Sequence, residues 1–169
     1  MVIKRSLILA LLVCFAVVSP CLAQQGGDKI GSEIKALVEQ QDKAFNAQDA
    51  NGIMATFSSG PEIVVMGTGP GETYLGKQGI ESAYSQFFNS FKAGEITTAY
   101  DWISTGSKGD AAWFTVTKTL SKMVNKEKKE RSLNLSGTAI KENGQWRFVT
   151  LHFSRLGAMD QTAQPQPKK

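Results

Sequence analysis

Cysteine is nearly missing from this 169-residue chain. The two present, Cys14 and Cys21, both fall in the first 21 residues, so whatever folds after them does so without a disulfide. Histidine is scarcer still, with His152 alone. One imidazole and no later thiol cannot assemble a conventional zinc or copper site, so no metal and no cofactor is expected. No apolar run reaches the length of a comfortable membrane span, roughly 20 residues. Clusters of one charge sign are also absent. The densest charged stretch, Lys126-Glu127-Lys128-Lys129-Glu130-Arg131, mixes both signs and reads as a solvated hairpin tip.

What is present at the start is a targeting pattern. Lys4-Arg5 precede an uncharged stretch from Leu7 to Val18, and Ser19-Pro20-Cys21-Leu22-Ala23 supply a break and a small residue before Gln24. That reads as a secretory signal peptide over residues 1–23, with a secreted or bacterial periplasmic product. Ser19-Pro20 before Cys21 fits a lipoprotein signal poorly. Cleavage takes Lys4 and Arg5 from the 19 basic residues, leaving 17 against 15 acidic ones. A charge near +2 without a basic cluster argues against a nucleic-acid partner, and nothing beyond the signal argues for a membrane one. The remaining 146 residues suffice for one disulfide-free domain.

Residues 24–29 read as a short polar linker, 30–157 as the domain, and 158–169 as a polar, proline-bearing disordered tail. Ile30, Ile34, Leu37, Val38, Gln41 and Phe45 recur at helical spacing, which predicts a helix over about 29–48. Asp49 is placed to cap a shorter helix carrying Ile53, Met54 and Phe57. A buried strand over 62–66 and a brief return over 73–75 follow. Ile80, Tyr84, Phe87, Phe88 and Phe91 then give a helix over about 77–92 with an aromatic stripe, ended by Gly94. The rest is an antiparallel meander over about 95–105, 110–124, 130–141 and 145–156. Gly71 to Gln78 nearly matches a phosphate-binding loop, but Gln78 stands where a Ser or Thr is required, and Gly76 is better read as a turn.

The last strand follows the hairpin signal Asn143-Gly144. Strict alternation places Trp146, Phe148, Thr150, His152 and Ser154 on one face, and Arg147, Val149, Leu151, Phe153 and Arg155 on the other. The first set is expected to floor a pocket. The second, with its apolar groups, is expected outside, where a homodimer would cover it.

This order of elements resembles the SnoaL-like domains of the nuclear transport factor 2-like superfamily. The resemblance rests on Ala44-Phe45-Asn46-Ala47-Gln48-Asp49, Gly76-Lys77-Gln78-Gly79-Ile80, Gly109-Asp110-Ala111-Ala112-Trp113 and the closing run Trp146 to Ser154. It covers roughly residues 30 to 156. It implies an α+β fold in which a curved antiparallel sheet wraps N-terminal helices around a conical pocket, and it implies a homodimer. It implies function only weakly, because unrelated activities share the fold.

Three readings follow. The first is a binding domain for a small, partly apolar molecule. Its pocket would be lined by Tyr74, Tyr84, Trp102, Trp113, Thr117, Trp146, Phe148, Thr150 and Ser154. The second is a cyclase- or isomerase-type enzyme with His152 as acid or base. The third is an accessory or structural module of an exported complex. Asp42, Asp49 and Asp101 are the available acids. Asp49 is most simply a cap, Asp42 lies beside the apolar stripe of the first helix, and Asp101 points away from Tyr100 and Trp102.

Overall fold

The computed structural model describes residues 22–157. The signal peptide and the tail expected from the sequence therefore lie largely or wholly outside the described residues. Helix α1 spans Leu22–Asn46 and α2 spans Ala50–Met54. Strands β1 (Val64–Met66) and β2 (Thr73–Leu75) come next, then α3 (Gly76–Phe87) with a single 3-10 turn at Phe88–Ser90. Four long strands close the chain: β3 (Thr97–Lys108), β4 (Ala111–Val124), β5 (Glu127–Glu142) and β6 (Gln145–Arg155).

Helix α1 runs through residues 24–29, the stretch expected to be a linker. Extending a helix already nucleated by packing costs little per residue, and Gly26-Gly27 does not stop it. Asp49 caps α2 as expected, its carboxylate accepting from Gly52 N at 2.9 Å. Between the helices Gln48 adopts φ 57° and donates through Nε2 to the carbonyls of Phe88 and Phe91 at 2.8 and 2.7 Å. It thus satisfies carbonyls at the end of the aromatic helix that would otherwise be unpaired.

The six strands form one sheet in the order β2-β1-β6-β5-β4-β3. Strands β3 to β6 make the expected antiparallel meander, but β1 lies parallel to β6, so the sheet is mixed. Both Asn143 and Gly144 take positive φ, which suits a tight two-residue turn to the strand twist. Asn125 and Lys126 do the same, so β5 already starts at Glu127 and most of the charged run is strand rather than turn.

Two bulges shape the sheet. One interrupts the β3–β4 register between Trp102 and Ser104. The other lies between β5 and β6, where Thr138 pairs with Thr150 but Ala139 pairs with Phe148, leaving Val149 as the extra residue. A bulge inserts one residue and reverses the alternation beyond it. Trp146 and Phe148 therefore face the helices, and after the bulge so do Leu151 and Phe153 rather than Thr150 and His152. The strict alternation expected for this strand does not hold, and its second half is inverted.

The inner face of the sheet and the two longer helices enclose the core. Ile34, Val38, Ile53, Ile80, Leu135 and Phe148 are fully buried there, with Phe148 against Phe57 and Phe114. The outer face is mostly hydroxyl-bearing. Thr117, Thr119, Ser132, Thr138 and Thr150 bond across strands on it, with Trp113 the large exposed ring. The apolar outer face argued from Leu151 and Phe153 is not there, since Leu151 is 1% exposed and Phe153 packs against the core.

Gly137 sits beside the bulge between β5 and β6, where there is no room for a Cβ. A Cβ there would lie 2.5 Å from the Thr150 carbonyl oxygen and 2.9 Å from both Leu151 and Phe114. Gly137→Ala should lower the unfolding free energy by about 1–3 kcal/mol, as overpacking does. Gly31→Ala, on an open stretch of α1 with nothing within 4 Å, should raise it by about 0.5–1 kcal/mol. Denaturant titration of the two variants checks both signs.

Candidate functional site

Between α1, α3 and the inner face of the sheet lies a cavity of about 230 Å³. Helix α1 contributes Gln41, Asp42 and Phe45, and α3 contributes Ile80, Ala83, Tyr84 and Phe87. Val65, Tyr74 and the turn residues Gly67, Thr68 and Glu72 close one side. The sheet supplies Lys118, Leu120, Arg131, Leu133, Phe153 and Arg155. The lining is mainly apolar and aromatic, with a few polar groups at defined places, which is the usual form of a small-molecule site.

Its polar centre is an ion pair. Lys118 Nζ meets Asp42 Oδ1 at 2.6 Å with both side chains buried. Tyr100 donates its hydroxyl to the other carboxylate oxygen at 2.8 Å. Lys118 also lies over the Phe153 ring, 5.2 Å from its centroid. Helical spacing puts Asp42 beside Val38 and Phe45, and strand alternation puts Lys118 between Val116 and Leu120. Each charge thus enters an otherwise apolar stripe, and each has the other as its reason for being there.

Beside the pair, Gln41 is 2% exposed and its Nε2 has no hydrogen-bond partner among the described residues. Leaving an amide donor buried and unpaired costs about 1–3 kcal/mol. Glu72 is already engaged, accepting from Thr68 N at 2.7 Å and Gly69 N at 2.9 Å. Among the described residues no three His, Cys, Asp or Glu side chains gather as a metal site.

The residues singled out from the sequence do not all meet here. Tyr84 and Tyr74 line the cavity. Trp146 is buried elsewhere, donating to Glu33 at 2.8 Å and so fastening α1 to the sheet. Phe148 is solid core. Trp102 stacks on Tyr100 with centroids 6.1 Å apart, and its own indole nitrogen is buried without a partner among the described residues. Trp113 lies outside, with its ring directly over Gly106. Thr117 and Thr150 bond to Asn134 and Thr138 on the outer face. His152 pairs with Ser136 and Ser154 with Asn134 on that same face, and His152 is exposed. The bulge at Val149 separates these last residues from the cavity. Asp101 pairs with Thr117 and is likewise exposed. Sequence reasoning missed Gln41, Lys118, Arg131 and Arg155.

Burial raises the ionisation of Tyr84 and Tyr100 well above the ordinary phenol value, and the negative charge of Asp42 raises both further. Folded-state values above the unfolded one mean stability that is full below about pH 10 and lost as pH rises beyond it. An alkaline titration followed by phenolate absorbance should show these two tyrosines ionising only together with unfolding. Early, reversible ionisation of all three tyrosines, with the fold intact by circular dichroism, would contradict the geometry.

The comparisons with known proteins agree with this architecture. A nuclear transport factor 2-like protein with a cystatin-like fold from Novosphingobium aromaticivorans superposes with a TM-score of 0.69 at 16% identity, covering 82% of this chain and 90% of that one. A nuclear transport factor 2-like protein of unknown function from Pseudomonas putida gives 0.64 at 18%, covering 84% and 98%. A ketosteroid isomerase-like protein from Erwinia carotovora atroseptica gives 0.58 at 20%, covering 75% and 95%. At these identities the likeness is one of fold. No match was found among curated protein sequences. The SnoaL-like domain model matches residues 34–159, most of the chain, and the protein belongs to that family.

Proposed function

We propose that this domain binds a small, partly apolar molecule in the cavity beneath α3. The observation that carries the reading is the cavity itself, lined mainly by apolar and aromatic side chains, with Gln41 among them and its amide nitrogen buried without a partner among the described residues. The fold does not need that donor, and a ligand acceptor would satisfy it. The Asp42–Lys118 pair and the Tyr84 ring offer further polar and aromatic edges to the same guest. Export of the domain belongs to this reading too, carried by the Lys4-Arg5 and Leu7–Val18 pattern.

Acid–base chemistry at His152 is not favoured, because that imidazole is exposed on the opposite face of the sheet. A cyclase- or isomerase-type step in this cavity would have to use Asp42 and Tyr84. Asp42 already accepts from Lys118 and Tyr100, one on each oxygen, so both oxygens are engaged before any substrate enters.

Ala83 is 4% exposed on the cavity wall, so a larger side chain there fills the space without touching the surface. Naphthalenemethanol, a neutral apolar probe with one hydroxyl, should bind the wild type in isothermal titration calorimetry. Ala83→Phe should weaken it by about tenfold or more, since one well-buried aromatic contact is worth at least that. Gln41→Met should raise the unfolding free energy by about 1–2 kcal/mol while weakening the same probe, because the unpaired donor serves the guest and not the fold. Undiminished binding by Ala83→Phe would place the probe elsewhere and overturn the proposal.

A further inference from the structure

We infer that the guest of this cavity carries a single negative charge, and that Arg131 and Arg155 at the cavity mouth receive it. The inference rests on the binding reading above and names the chemical class of its ligand as a small carboxylate with an apolar body. Arg155 pairs with Leu133 across β5 and β6, and Arg131 lies two residues before Leu133 on the same inner face. They are diagonal neighbours on adjacent strands, about 7–8 Å apart at the backbone, within reach of one carboxylate for side chains of this length. Both line the cavity, as does Leu120, the cross-strand partner of Arg131.

Of the charged side chains around the mouth, all but these two have a hydrogen-bond or ion-pair partner among the described residues. Asp42 is compensated by Lys118 at 2.6 Å. Glu72, in the β1–β2 turn beside the end of β6, accepts from the backbone N–H groups of Thr68 and Gly69. A second cavity of about 330 Å³ adjoins the first and shares Phe45, Phe87, Leu120 and Arg131 with it. Its charged groups are also engaged: Glu130 with Lys128, Lys129 with Glu127, and Lys122 with the carbonyl of Ser90. Arg131 and Arg155 have no carboxylate within ion-pair distance among the described residues. Two unpaired guanidiniums beside an apolar chamber match a molecule whose body enters and whose carboxylate stays at the rim. Guanidinium–carboxylate bonds are charge-assisted and often bidentate, so they fix orientation as well as affinity. The head group remains near water, which avoids the cost of burying an anion.

Calorimetry with naphthoate and its neutral analogue naphthalenemethanol tests this on wild type and on Arg131→Gln/Arg155→Gln. Both arginines are exposed, and retained binding of the neutral probe certifies that the cavity is intact. The wild type should prefer naphthoate, and the preference should shrink as salt is raised. In the double variant naphthoate should weaken by about tenfold or more, as expected for loss of charged hydrogen bonds, with naphthalenemethanol within about twofold of wild type. Equal affinity of the wild type for both probes, or an unchanged naphthoate affinity in the variant, would overturn the anion assignment and leave the cavity reading standing. If neither probe binds the wild type at millimolar concentration, the cavity reading falls and this inference with it.

Discussion

The placement of α1 on the sheet rests on one buried contact, the ion pair between Asp42 of α1 and Lys118 of β4. Removing two charges from water costs several kcal/mol per ion, and only close mutual contact with further hydrogen bonds offsets it. The pair therefore fixes one rotational setting of α1 on the sheet, with Ile34, Leu37, Val38 and Gln41 turned inward. Tyr100 of β3 completes the carboxylate, which ties a third element to the same point. Gln41 and Phe45, which α1 brings to the cavity, take their position from that arrangement.

The second constraint is the bulge at Val149. Before it, β6 presents Trp146 and Phe148 to the narrow end of the core, where Trp146 bonds to Glu33. Past it, Leu151, Phe153 and Arg155 continue the inner face toward the open end. One inserted residue thus bends the sheet and decides that a phenylalanine and an arginine, rather than a histidine and a serine, reach the cavity. The Thr138–Thr150 bond on the outer face follows from the same inversion.

Much of the architecture was legible in the sequence because its signals are local. Asn143-Gly144 marks a turn by the positive φ it permits, Asp49 marks a cap, and the stripe of Ile80 and Tyr84 marks a buried helix face. Tyr84 lies on the cavity wall on that same helix face. Val149 gave no warning, since valine is as ordinary in a regular strand as in a bulge, and every face assignment beyond it was inverted. Arg131 was hidden inside a charged run that looked like a hairpin tip. Lys118 and Asp42 were visible in principle: each is a lone charge in an apolar stripe, of opposite sign and on different elements. Reading the two intrusions together would have located the site.

The central claim is that the buried pair fixes where α1 sits over the cavity and adds little net stability of its own. The most direct measurement is the unfolding free energy of Asp42→Asn, Lys118→Met and the double variant, taken as a double-mutant cycle. Each single change leaves one buried charge or dipole without its partner and should cost about 3 kcal/mol or more, whereas the double should lie within about 1 kcal/mol of wild type. A double variant as unstable as the worse single would show that the pair holds the fold together for its own sake, and would contradict the account.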